Sequence, residues 1–159
     1  MERLDHRAHS LAVFPDGKRL ASGGENGLIC IWELESKEPK KFGGNTESVT
    51  ALALFTHGKR LVSCGYNIIP IWDVEQSQEI AAICQPVPVS TIFLKNDNFL
   101  CATDRLGLWM WKLHEEGKSV KAELLWTTHP GLSCDKAEIS QAIRLSEANQ
   151  QLMRQHGAN

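Results

Sequence analysis

Leu20-Ala21-Ser22-Gly23-Gly24-Glu25-Asn26-Gly27-Leu28-Ile29-Cys30-Ile31-Trp32-Glu33-Leu34 reads as two short β-strands joined by a tight polar turn. Ile29, Ile31 and Trp32 give the second flank its strand character, and Gly and Asn in the centre tolerate the positive φ that a sharp reversal needs. Related passages follow at 60–74 and 99–113. Aligned on their strand-final tryptophans, Trp32, Trp72 and Trp111 stand 40 and 39 residues apart. Repetition at such a period is the mark of a repeat architecture.

The likeness runs well beyond the tryptophans. Phe14-Pro15-Asp16-Gly17-Lys18-Arg19-Leu20 answers Phe55-Thr56-His57-Gly58-Lys59-Arg60-Leu61, and both answer Leu94-Lys95-Asn96-Asp97-Asn98-Phe99-Leu100. Ala21-Ser22 answers Val62-Ser63 and Ala102-Thr103. Each copy parses into four strands. The first alternates apolar with polar positions, through Leu11 and Val13, Leu52 and Leu54, and Ile92 and Leu94, the pattern of a half-buried strand. The second covers about 19–23, 60–64 and 99–103, the third ends on the tryptophan, and a fourth lies near 38–42, 78–84 and 120–126. Short strands with closely spaced turns predict antiparallel all-β structure.

The stretch from Phe14 to Gly24 with Ile31-Trp32-Glu33, and Ile71-Trp72-Asp73, resembles the WD-repeat (WD40) β-propeller family over about residues 8–126. The resemblance implies three four-stranded blades at about 8–43, 48–84 and 88–126, an incomplete propeller, since rings typically hold four to eight blades. It also implies a structural network in which a loop His, a strand hydroxyl, a turn Asp and the Trp bond to one another. Ser22, Ser63 and Thr103 take the hydroxyl position, with Trp32, Trp72 and Trp111 beside them. The loop His is replaced by Asn45 and, before the third copy, by Gln85. The turn Asp is Asn26 in the first copy, Asn67 or Tyr66 in the second and Asp104 in the third. Each blade is therefore expected to lean on apolar packing, with modest stability. Three blades leave a bare face at each end, to be covered by further blades of a longer chain, by a second copy making a six-bladed homodimer, or by the tail.

Residues 127–159 change character. His129-Pro130-Gly131 reads as a linker, Ala137-Glu138-Ile139 matches one unit of a pentapeptide-repeat coil, and Ser146 is placed to cap a helix over about 147–155. The fold expected is all-β with a short C-terminal α-helical tail.

Composition narrows the function. Lys and Arg number 17 against 19 Asp and Glu, a net charge of −2, which offers no electrostatic attraction to nucleic acid or to anionic membrane. No window approaches the roughly 18 apolar residues of a membrane span. Five widely spaced cysteines, Cys30, Cys64, Cys84, Cys101 and Cys134, without a C-x-x-C pair, predict free thiols and a cytoplasmic location. The signatures G-x-S-x-G, G-x-x-x-x-G-K and H-E-x-x-H are missing, and His6 and His9 have no ligand partner at metal spacing. Neither catalytic residues nor a cofactor nor a metal is expected. His57 is read as a solvated turn residue, and Trp109, two before Trp111, as a core residue on the same strand face.

What remains is a binding surface. Blade loops at 24–27, 43–48, 65–67, 85–88 and 104–106 would present Tyr66, Arg105, Glu25 and Asn45 to a protein partner, with the aromatic and the arginine ranked first. Two other classes stand beside this non-enzymatic scaffold: the sensor end of a larger bacterial nucleotide-dependent signalling protein, and a small hydrolase.

Overall fold

The computed structural model describes residues 7–36, 39–45, 47–85, 88–105, 107–117 and 119–128. The expected pentapeptide-like remnant and C-terminal helix lie outside the described residues.

Among the described residues twelve strands form three four-stranded antiparallel sheets, each wound in sequence order. The first holds β1 (Ala8–Val13), β2 (Arg19–Gly24), β3 (Leu28–Glu33) and β4 (Pro39–Gly44). The second holds β5 (Ala51–Leu54), β6 (Arg60–Cys64), β7 (Ile68–Asp73) and β8 (Gln78–Cys84). The third holds β9 (Thr91–Lys95), β10 (Phe99–Thr103), β11 (Leu108–Glu116) and β12 (Ser119–Thr127). The sheets meet through β1 against β5 and β5 against β9, with β8 touching β12 further out. That is the stacking of consecutive propeller blades around their innermost strands.

The core lies between blades. Phe14, Ala21, Ile29 and Ile31 of the first meet Leu52, Leu61 and Trp72 of the second. Val62, Cys64, Ile69 and Ile71 of the second meet Ile92, Leu100, Trp109 and Trp111 of the third. Each blade thus offers its tryptophan to the blade before it. Full burial of such side chains contributes about 1.5–3 kcal/mol apiece.

The first blade has nothing in front of it among the described residues, and its alternating strand is bare there. Leu11 is 65% and Val13 68% exposed, whereas the counterparts of Leu11, Leu52 and Ile92, are buried and those of Val13, Leu54 and Leu94, are half-buried. Trp32 is half-buried where Trp72 and Trp111 are covered. On the far side of the third blade, Phe93 is 62% exposed. Period-2 patterning marks a face made for burial, and here that face is open at both ends of the stack.

At one end of the strands, short polar links tie neighbouring blades. Asp97 accepts from the Thr56 amide at 2.8 Å and pairs with its hydroxyl, and Arg60 bridges to Glu115 at 2.5 Å. The turns at this end are closed by one device used twice: Asp16 accepts from the Lys18 amide at 2.8 Å, and His57 accepts through Nδ1 from the Lys59 amide at 3.0 Å. His57 therefore does the work of the turn aspartate, and its ring also stacks on Phe55.

Candidate functional site

The other end of the strands carries the turns β2–β3, β4–β5, β6–β7, β8–β9 and β10–β11, so antiparallel winding gathers Glu25, Asn45, Tyr66, Gln85 and Arg105 on one side of the molecule. Within that side Tyr66 and Asn45 are brought together. They line a groove of about 290 Å³ with Glu47, Asn67, Ile68 and Cys84. Glu25 and Arg105 stand exposed on the same side but do not line it. Glu25 pairs at the surface with Arg7 at 3.7 Å.

The groove wall is held by a polar chain through the second blade. Trp72 Nε1 donates to Ser63 Oγ at 2.9 Å, and Ser63 donates to Asn45 Oδ1 at 2.7 Å. Asn45 thus fills the loop-histidine role, and its backbone N–H donates to the Gly27 carbonyl at 2.9 Å. The approach is close: a Cβ on Gly27, whose φ is +78°, would stand 2.2 Å from the Asn45 carbonyl oxygen. Behind Tyr66, the Gln85 amide donates to the Asn67 carbonyl at 2.8 Å, fixing the turn against the end of β8. Tyr66 itself is 55% exposed.

In the first blade Trp32 Nε1 donates to Ser22 Oγ at 2.7 Å. In its turn, Asn26 Oδ1 accepts from the Leu28 amide at 3.1 Å. The third blade departs from expectation. Leu20 pairs with Trp32, Leu61 with Trp72 and Leu100 with Trp111 across the ladders. The hydroxyls Ser22 and Ser63 lie two residues past those leucines, and the residue two past Leu100 is Ala102. Thr103 is one position further on, facing the other side of the sheet, where its hydroxyl meets Ser90 at 3.4 Å. Among the described residues Trp111 Nε1 is buried without a partner, as is Gln85 Oε1. Asp104 instead serves Trp109, accepting from its Nε1 at 2.8 Å and from the Gly107 amide at 2.7 Å. Trp109 and Trp111 stack with centroids 6.0 Å apart, both deep in the core.

Burial pushes Cys64 and Cys30 above the ordinary thiol range, and does the same to Cys101. A thiol so placed is a poor nucleophile. Among the described residues no group of three or more His, Cys, Asp or Glu is arranged to hold a metal ion.

These blades and their loop-end face define a propeller-type repeat protein. Residues 4–33 and 36–73 match the family described as "WD domain, G-beta repeat", so these two stretches resemble WD-type repeats. It is 29% identical over 115 residues to WD repeat-containing protein 26 homolog of Arabidopsis thaliana, covering 70% of this chain and 19% of that protein. It is 27% identical over 96 residues to small ribosomal subunit protein RACK1z of Oryza sativa subsp. japonica, covering 60% and 27%. Among solved structures, U3-55K aligns with a TM-score of 0.68 at 19% identity, over 91% of this chain and 45% of that one. The Cps50 (Swd1) β-propeller domain of Myceliophteria thermophila aligns with a TM-score of 0.63 at 21% identity, over 73% and 39%. The chain therefore spans about a fifth to a quarter of these curated relatives and less than half of the solved propellers. None of these relatives supports the bacterial signalling alternative.

Proposed function

We propose that this chain is a non-enzymatic interaction module whose loop-end face captures a protein segment through Tyr66 and Arg105, with Asn45 and Glu25 as further contacts. The observation that carries the proposal is an exposed aromatic at the lip of a groove whose wall is pinned by the Trp72–Ser63–Asn45 chain. A rigid aromatic beside a preformed groove binds with little ordering cost. One relative is named as a protein of the small ribosomal subunit, a role in an assembly rather than in a reaction. The test is a Tyr66→Ala and Arg105→Ala double variant of the full chain. It should lose partner capture while keeping its circular dichroism and melting profile; unchanged capture would end the proposal.

A second reading concerns the two open blade faces. Leu11 and Val13 at one end and Phe93 at the other are large apolar side chains left more than half exposed. We propose that a second copy covers them, the front of one blade stack meeting the back of the other in a closed pair. Light scattering on the purified chain should then give twice 17.7 kDa. A monomer at micromolar concentration would refute it.

A further inference from the structure

We infer that the groove beside Tyr66 is a receptor for a basic side chain, arginine ahead of lysine, displayed by the protein partner. The inference rests on the reading of the loop end as the interaction face and names what that face selects.

The groove is small, about 290 Å³, at the lower edge of ligand pockets and suited to one side chain rather than to a nucleotide or a cofactor. Its charge has one sign. Glu47 is exposed, and among the described residues no cation pairs with it, whereas the neighbouring Glu25 is matched by Arg7. No Lys, Arg or His lines the groove, so an anionic ligand finds no counter-charge there. An apolar ligand would strip water from the Glu47 carboxylate and the Asn67 amide without replacing their hydrogen bonds, a costly exchange. A single carboxylate with two amides is also a poor ligand set for a divalent cation.

A basic side chain meets every surface the groove presents. The exposed Tyr66 ring offers the negative face of its π-system to a cation. Glu47 supplies the carboxylate, and the Asn67 side chain adds an amide acceptor. Ile68 and Cys84 add apolar lining along which the methylene stem can lie. Arginine fits better than lysine because a planar guanidinium stacks on a ring while its edge still donates to a carboxylate. The parts are already held. Asn45 is locked between Ser63 and the Gly27 carbonyl, and Asn67 is tied to the Gln85 amide.

The probe is the peptide acetyl-Ala-Ala-Arg-Ala-Ala-amide, titrated into the isotopically labelled full chain and followed by amide NMR shifts. Its control carries citrulline, which has nearly the same shape as arginine and no charge. Saturable shifts are expected at Tyr66, Asn67, Ile68 and Glu47, weakened about two- to fivefold by citrulline and by Glu47→Gln, the scale of an exposed ion pair. Glu47→Gln is at the surface, and its own spectrum reports whether the fold is intact. Equal binding of the citrulline peptide, indifference to Glu47→Gln, or shifts confined to another part of the molecule would overturn the inference. If those results came while the Tyr66 and Arg105 double variant still lost its partner, the selectivity would be wrong and the interaction face would stand. If the arginine peptide bound as expected while the double variant kept its partner, the groove would stand and the wider proposal would fall.

Discussion

Ala102→Ser should make this protein more stable, which few substitutions at a buried site do. Ala102 is 1% exposed and occupies the place held by Ser22 and Ser63 in the other blades. Among the described residues, Trp111 Nε1 in the third blade and Gln85 Oε1 in the loop before it are a buried donor and a buried acceptor with no partners. Gln85 stands nine residues before Leu94, as Asn45 stands nine before Leu54, and those leucines hold matching ladder positions opposite Leu100 and Leu61. A hydroxyl added at 102 would repeat the second-blade chain, whose two bonds measure 2.9 and 2.7 Å. Each unpaired buried group costs about 1–3 kcal/mol, and one oxygen squeezed into a packed site returns a cost of about 1–3 kcal/mol at worst. The net expected is a gain of about 1–2 kcal/mol. For a chain of this size that raises the melting midpoint by about 2–4 °C per kcal/mol, readable by thermal denaturation of the full chain. Combining Ala102→Ser with Gln85→Ala should erase much of the gain, because the new hydroxyl loses its acceptor. Thr103→Ala should leave the Trp111 fluorescence unchanged. A neutral or destabilising Ala102→Ser, or a gain that survives Gln85→Ala in full, would refute the alignment of the three blades on which the reasoning depends.

Ser63→Ala carries the opposite sign. It leaves Trp72 Nε1 and Asn45 Oδ1 without partners, and chemical denaturation should show a loss of about 2–3 kcal/mol. The turn at Asp16 should give a pH dependence. A hydrogen bond from the Lys18 amide, more than the pairing with Arg19, holds the Asp16 carboxyl below its usual value. The folded-state value is the lower one, so the contribution is present above about pH 4 and is lost as pH falls through the folded value. Wild type should therefore exceed Asp16→Asn in stability at pH 6, and the difference should shrink as pH falls below about 4.

Much of the architecture was legible because repetition does the work of an alignment. Three tryptophans at near-equal spacing locate three blades, and period-2 strands with Pro-Asp-Gly or His-Gly turns locate their edges. Asn45 as the stand-in for the loop histidine was readable too, since its offset from the strand is kept. The third blade misled the reading at one point. Its turn is shorter, running through Asn96 and Asp97 with positive φ, and Ala102-Thr103 placed beside Val62-Ser63 puts the hydroxyl one residue off. A one-residue slip moves a side chain to the other face of the sheet. The groove was only half visible. Tyr66 stood out as a loop aromatic, but Glu47 and Cys84 come from segments distant in sequence, and only the packing of β8 against the β6–β7 turn brings them together.

Site-specific photo-crosslinking tests the central claim most directly. A photoreactive phenylalanine analogue placed at Tyr66, and in a second variant at Thr56 on the opposite end of the strands, would be irradiated in the presence of the protein's cellular partners. The account predicts discrete protein adducts from position 66 and none from position 56. Adducts from position 56 alone, or from both ends equally, would contradict it.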